Sequence, residues 1–557
     1  MQRVLQRTAR TCCLAVVALV ASSWLANGAE PAEPQAGYDG LVSLFKEYQA
    51  WDAANTADVL LDFSPAAVAK RRAALASLQQ RLAAIDVTGW NAQQKNDYLV
   101  VRSELDKHEF IFTVTRPWER DPAYYVAELL EIPFAELPAK GEQLAQLRRE
   151  LRAVPVFVRQ AQANLTNVAA DYADLAISYL EKSDGVEANY PYRAVPPPGV
   201  IGWYEDLLGR AGKSQPALRN DIRKAYVATQ ELHKWLKDSR SRMTARAGVG
   251  KAALDWYIEN ALLLPYDSDE VETLCQRELD RLWAFYALER YRNRGLPELE
   301  RAKSAFEYGK RLAETDQLVR GWLKEKEFIT IPDFIPAGLE QMGYNVPWIE
   351  RETAPNFWEQ IQYRDPVPDH LHAVIPGHRF DDRTRRQNAH PIRGQVRSGS
   401  RWQGWAVYLE EGPLQAGILD SRPRARELIY IFGLWRAARS LGDVWNQRNE
   451  MTASEVVKYW MDITPLMDAN VARKYAHLRP QPGHGLEYTI GSVQMFNLLA
   501  EVRRQRGDEL VMRDFHDEFI GKGQIPIALI RNEMTGYDKD VARFWKRTPL
   551  QEVLESN

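Results

Sequence analysis

The first residues of this chain that could do chemistry are two histidines in a short apolar stretch, LHAVIPGHRF (371–380). Imidazole near neutral pH serves as general acid, general base or metal ligand. Four of the nine histidines, His370, His372, His378 and His390, fall between positions 370 and 390, with Asp381 and Asp382 among them. Imidazole and carboxylate are the usual nitrogen and oxygen ligands of zinc. The spacing is not simple, however. At about 100° per residue, six residues carry His378 well off the face of His372 on a straight helix. Pro376 removes a backbone donor and Gly377 loosens the chain, so a break is expected there that swings His378 back. The pair therefore does not resemble the single-helix H-E-x-x-H arrangement, and position 373, where that pattern has a glutamate, is alanine.

A second stretch, RWQGWAVYLEEGPLQAGIL (401–419), lies close behind. Trp402, Trp405, Ala406 and Leu409 mark the apolar face of a helix, and Gln403 and Glu410, seven apart, lie near one side of it. The connection between the two stretches holds seven arginines and no lysine: Arg379, Arg383, Arg385, Arg386, Arg393, Arg397 and Arg401. Guanidinium grips carboxylate or phosphate bidentately, as lysine cannot. Either this connection meets an anionic ligand such as a peptide C-terminus or a sugar acid, or it is a loop whose charges are paired within the protein.

The elements that must position these groups are helices. Ser64-Pro65 reads as an N-cap followed by proline at the first helical position, and AAVAKRRAALASLQQRLAAI runs on from it. Further helices are expected near 88–115, 139–182, 216–246, 268–294 and 297–326, with local interruptions at NYPYRAVPPPG (189–199) and IPDFIP (331–336). FITI (328–331) could form one short strand. No repeat and no strand–helix alternation is present, so the expected fold is all-α, one large helical domain over 38–557 with a central cleft and at most a few short strands.

Composition narrows the function classes. The chain has 557 residues, 45% of them hydrophobic, with 26% charged and a net charge of −3. Such balance argues against a nucleic-acid binder, which carries a basic domain or stripe. The first 29 residues combine Arg3, Arg7 and Arg10 with the apolar run CCLAVVALVASSWLA and the small residues of ANGAE. This reads as a secretory signal peptide cleaved after Gly28 or Ala29, followed by a polar leader over 30–37. The run is short for a membrane span, so a periplasmic protein without a stable span is expected. Cys12 and Cys13 leave with the signal, and Cys275 then has no partner within the chain. It sits on the apolar face of VETLCQRELDRLWAFY, as a small core residue rather than a nucleophile. The seventeen tryptophans read as packing residues.

Several motifs taken together resemble a known family, the bacterial helical proteins termed domain of unknown function 885, which look like zinc peptidases. HAVIPGH (372–378) is similar to the family's H-E-x-x-P-G-H, and QGWAVYLE (403–410) to its E-G-W-A-x-Y-x-E. PGHGLEYTIG (482–491) is similar to P-G-Q-A-x-x-Y-x-I-G, FHD (515–517) follows, and VGKAALDWYIENALLLPY (249–266) also resembles the family. The resemblance implies His372 and His378 as zinc ligands, Tyr488 as a hydroxyl able to stabilise an oxyanion, and a glutamate at position 410. It implies a glutamate base where Ala373 stands and a carboxylate ligand where Gln403 stands. His484 replaces a glutamine.

The two replacements strike different functions. Alanine accepts no proton, and losing a general base costs about a hundred- to ten-thousandfold in rate. A neutral amide oxygen is a far poorer zinc ligand than a carboxylate. Together they argue against ordinary zinc hydrolysis. Three uses of the cleft stay open. One is a site, degraded or repurposed, that binds peptides or small anions through Arg379, Gln403, Tyr408 and His484. Another is a working metallohydrolase whose zinc is held by His372, His378 and Glu410, or by Asp381 or Asp382 in its stead. The third is a metal-free acid–base enzyme, a lyase or isomerase, using His372, His378, Glu410 and Tyr488.

Overall fold

The computed structural model describes residues 37–56, 60–182, 197–350, 354–477 and 482–556. The signal peptide and all of the leader except Gly37 lie outside the described residues. Helices account for the regular structure, and among the described residues the only β pairing is an isolated bridge between Ala169 and Ala245. FITI is irregular, with Phe328 and Ile329 buried in the core. None of the described helices is long and apolar enough to cross a membrane.

Local chemistry explains where the helices start. In α1 (Pro65–Ala83) the Ser64 hydroxyl accepts from the Ala67 amide, with Pro65 first in the helix. α2 (Ala92–Phe110) opens on a reciprocal Asn91–Gln94 capping box, and α5 (Ser268–Arg292) on Asp267 and Glu270. The long helix expected over 139–182 is two, α3 (Gly141–Asn164) and α4 (Ala170–Glu181). Between them the backbone finds partners in other segments: Asn167 and Ala169 donate to the carbonyls of Glu119 and Arg120, and Ala170 to that of Ala245. Tertiary bonds there replace helical ones. The helix expected from 297 starts later, as α6 (Ala305–Glu325), capped by Ser304.

The C-terminal half holds the elements of interest: α7 (Val367–Ala373), α8 (His378–Gln387), α9 (Gly399–Gln415), α10 (Pro423–Gln447) and α11 (Leu486–Arg506). α9 and α11 cross backbone to backbone. A Cβ added to Gly404 would lie 2.4 Å from the Gly491 carbonyl carbon, and one added to Gly491 would lie 2.2 Å from the Ser400 oxygen. α10 is buried along nearly its whole length, its arginines included.

One hydrophobic cluster runs from Leu41 to Leu550, which makes the described chain one large helical fold. Polar bonds tie its ends together. Asp97, fully buried, accepts from Tyr38 at 2.6 Å and from Arg393 at 2.7 Å, and Arg393 also meets Glu533 at 2.6 Å. Cys275 is buried, its thiol pushed up to about 12 by burial, as a core residue would be.

Candidate functional site

The site begins at the turn between α7 and α8. Gly377 sits so close to the preceding helix that a Cβ would lie 1.9 Å from the His372 carbonyl oxygen. The Trp405 indole donates to the Pro376 carbonyl at 2.9 Å and pins the turn to α9. The chain thus doubles back, and the His372 and His378 rings stand edge to face with centroids 4.6 Å apart. The imidazole of His378 stacks on Trp402 at 3.7 Å.

α9 and α10 build the floor. His372 Nδ1 is 2.7 Å from Glu410 Oε1, but the approach is off the hydrogen-bonding direction and Nδ1 has no hydrogen-bond partner. His378 Nδ1 and Gln403 Oε1 are likewise buried and unpartnered. Arg436 reaches Glu410 at 3.3 Å and lies over the rings of Trp358, Phe432 and Tyr488. One turn on, Arg439 lies 4.4 Å from the Tyr475 ring and 4.8 Å from the Tyr488 ring. Arg439 is 1% exposed; its Nε and Nη2 find no hydrogen-bond partner and no carboxylate pairs with it among the described residues. Above this floor, His378, Trp402, His484 and Tyr488 are partly exposed and form a rim.

Burial dominates the electrostatics. It pushes both imidazoles well below their ordinary range, with Arg436 adding to the effect at His372 and the neighbouring His372 adding to it at His378. Both rings are therefore neutral near pH 7. Burial pushes the Glu410 carboxyl up to about 7 against the pull of Arg436, and pushes the Tyr488 phenol up, so it keeps its proton. The floor thus carries two guanidinium charges against one half-ionised carboxyl.

This donor set lacks the carboxylate expected at position 403 and the base expected at position 373. Gln403 offers only an amide oxygen, Glu410 is engaged by Arg436, and Ala373 offers nothing. Among the described residues no three His, Cys, Asp or Glu side chains converge as a metal site requires. Asp381 and Asp382 do not stand in. Asp381 takes both ends of the Arg401 guanidinium at 3.1 Å, with Gln524 donating at 2.8 Å, and Asp382 pairs with Arg397 at 2.6 Å.

The structure brings together His372, His378, Gln403, Glu410 and Tyr488, with His484 beside Tyr488 at 5.8 Å between ring centroids. Arg379 and Tyr408 do not join them. Arg379 donates to the carbonyls of Met342 and Tyr344, and the buried Tyr408 hydroxyl meets His516 at 2.8 Å. Of the other histidines, His370 pairs with Asp316 at 2.9 Å, and His390 with Tyr38 and Asp97. The arginine-rich connection is largely spent internally. Arg383 and Arg385 hold backbone carbonyls, while Arg393, Arg397 and Arg401 hold carboxylates. The arginines that face the site, Arg436 and Arg439, come from α10. Their signal was available in IYIFGLWRAARSLGDVW (429–445), where apolar residues surround both guanidiniums on every side of the helix.

Fold and site together define an all-helical protein whose C-terminal half gathers two buried arginines, aromatic rings and neutral imidazoles. The chain belongs to the family described as bacterial protein of unknown function (DUF885), whose model matches residues 47–319 and 343–534. Two solved structures share the fold. One is a candidate lipoprotein of unknown function from Shewanella oneidensis, with a TM-score of 0.68 and 16% identity over 90% of this chain and 100% of that one. The other is a candidate lipoprotein from Colwellia psychrerythraea, with a TM-score of 0.66 and 14% identity over 89% and 98%. No functionally curated protein matches the sequence.

Proposed function

We propose that this is an exported binding protein that holds a carboxylate-bearing ligand, such as a short peptide or a small organic acid, on the arginine floor of its cleft without zinc hydrolysis. One observation carries the reading: Arg439, almost fully buried, keeps two guanidinium donors unsatisfied and meets no carboxylate among the described residues. A buried cation without a counter-ion is costly, and a ligand carboxylate would supply the missing partner. Arg436 one turn away adds a second charge, Tyr488 a phenol hydroxyl, and Gln403, His372 and His378 further unsatisfied polar atoms. The apolar, arginine-led N-terminus of the sequence supports export, and the two structural neighbours are described as candidate lipoproteins. Calorimetric titration of the protein with triglycine and with triglycine amide tests the reading. The acid should bind about ten- to a hundredfold more tightly, the worth of a charge-assisted hydrogen bond. Arg439→Met should erase the difference, and equal binding of acid and amide by the parent protein would refute the reading.

A metal-free acid–base enzyme is a second reading, favoured by the 2.7 Å approach of His372 to Glu410, a carboxyl that titrates at about 7. It predicts turnover that survives chelation and falls in Glu410→Gln and Tyr488→Phe. A turnover abolished by chelator would sink it.

A further inference from the structure

A narrow crevice lies where α2 meets the starts of α9 and α11. Its lining includes Glu104, Lys107, Leu262, Gly399, Glu487 and Gln524. Two acceptors there lack a donor from the described residues. Glu487 is 9% exposed and its carboxyl forms no hydrogen bond with the described residues; the imidazole Nδ1 of His484 stands 3.7 Å away. It is seated against Gly399, where a Cβ would lie 2.0 Å from its oxygen. Gln524 is 1% exposed, and its amide nitrogen donates to Asp381 at 2.8 Å. A carboxylate only accepts, so that contact fixes which way the amide faces. Its oxygen is thereby turned elsewhere, buried and unpartnered. The one ammonium already present, Lys107, is held by Glu104 at 2.6 Å.

We propose that this crevice receives a protonated primary amine of the ligand, with Glu487 and Gln524 as its acceptors. The ligand of the cleft is then zwitterionic, an extension that rests on the anion-binding reading above. His484 borders both places: its ring is 5.8 Å from that of Tyr488, and its Nδ1 is 3.7 Å from Glu487. These steps lie within the reach of a tripeptide, about 10 Å when extended. An ammonium has three donors and one charge. It would satisfy both acceptors and draw the proton off Glu487, whose carboxyl burial pushes up to about 8 against Lys107 and Arg439, with Asp443 pushing it further up. Binding at pH 7 would therefore release a proton.

Calorimetry with triglycine and N-acetyltriglycine, each in two buffers of different ionisation enthalpy, is the test. The free amine should bind about ten- to a hundredfold more tightly and release up to about one proton. Glu487→Gln should abolish the release and equalise the two ligands. Gln524→Leu should weaken only the free amine and retain the release. Preference for acid over amide together with equal binding of the free and acetylated peptides would overturn this inference and spare the anion-binding reading. Preference for the free amine without preference for the acid would do the reverse. Unchanged selectivity in Glu487→Gln, or binding of acetate but of neither peptide, would also overturn the crevice assignment.

Discussion

Replacing Arg439 by methionine should stabilise the ligand-free protein. Burial of an unsatisfied donor costs about 1–3 kcal/mol. Arg439 has two such donors, so roughly 2–6 kcal/mol is held against folding. The opposing gain is the guanidinium's contact with the Tyr475 and Tyr488 rings at 4.4 and 4.8 Å, each about 1–2 kcal/mol when desolvated. Methionine keeps an unbranched stem against the same rings and needs no hydrogen bond. The difference favours the variant by about 1–2 kcal/mol. In a chain of this length that is a rise in melting temperature on the order of 2 °C, within reach of scanning calorimetry in a buffer free of small carboxylates and phosphate. Added acetate should then raise the melting temperature of the parent protein by mass action and leave that of the variant unmoved. A loss of more than about 2 kcal/mol in the ligand-free variant would mean that the guanidinium is already balanced within the protein. The case for a ligand carboxylate would fall with it.

Gly404→Ala pushes a methyl into the α11 backbone, where 2.4 Å must open by about 1 Å; a loss of about 1–3 kcal/mol is expected in denaturant unfolding, and an unchanged midpoint would contradict the close crossing. Arg401→Met strands the buried Asp381 carboxylate and should cost about 3–5 kcal/mol, with much of the loss recovered by adding Asp381→Asn. The Glu410 carboxyl titrates at about 7 when folded and near 4.5 when unfolded. The folded state therefore binds more protons between those values, and stability declines as pH rises through them, by about 3 kcal/mol for this group. Glu410→Gln should flatten that decline in melting curves from pH 5 to 8, and an identical slope in both proteins would refute the assignment. Finally, Ala373→Glu with Gln403→Glu supplies a base and a carboxylate ligand beside the two histidines. Elemental analysis after zinc loading and dialysis should find about one zinc per chain in that double variant and none in the parent.

The helical fold was legible because its signals are local. Ser64-Pro65 and the apolar periodicity around Cys275 each act within a few residues. What the sequence hid depends on partners distant in the chain. The break between α3 and α4 exists because residues near 120 and 245 take over the backbone bonds. The return of His378 toward His372 was expected from Pro376-Gly377, but its partner Trp402 was readable only as an apolar helix position. The arginine run stayed between two readings for the same reason, and the structure favours the internally paired one. A dense run between 379 and 401 resembles an anion site, yet its partners, among them Asp97, Asp381, Asp382 and Glu533, consume it. Arg436 and Arg439 sit singly in an apolar helix and attract less notice, though an arginine surrounded by core has the stronger need of a counter-ion.

The glycines at 377, 399, 404 and 491 divide the labour of this site in a way that matters for redesign. They set how closely the backbones approach, and they bring no side chain to the site. Several of the groups proposed to meet a ligand stand on neighbouring positions, 372, 378, 403, 410, 487 and 488, while Arg436, Arg439 and Gln524 come from elsewhere in the chain. Frame and contents are thus written in different letters of the same segments. A library that randomises the second set and leaves the first alone can explore new ligands, or an introduced metal, on an unaltered scaffold.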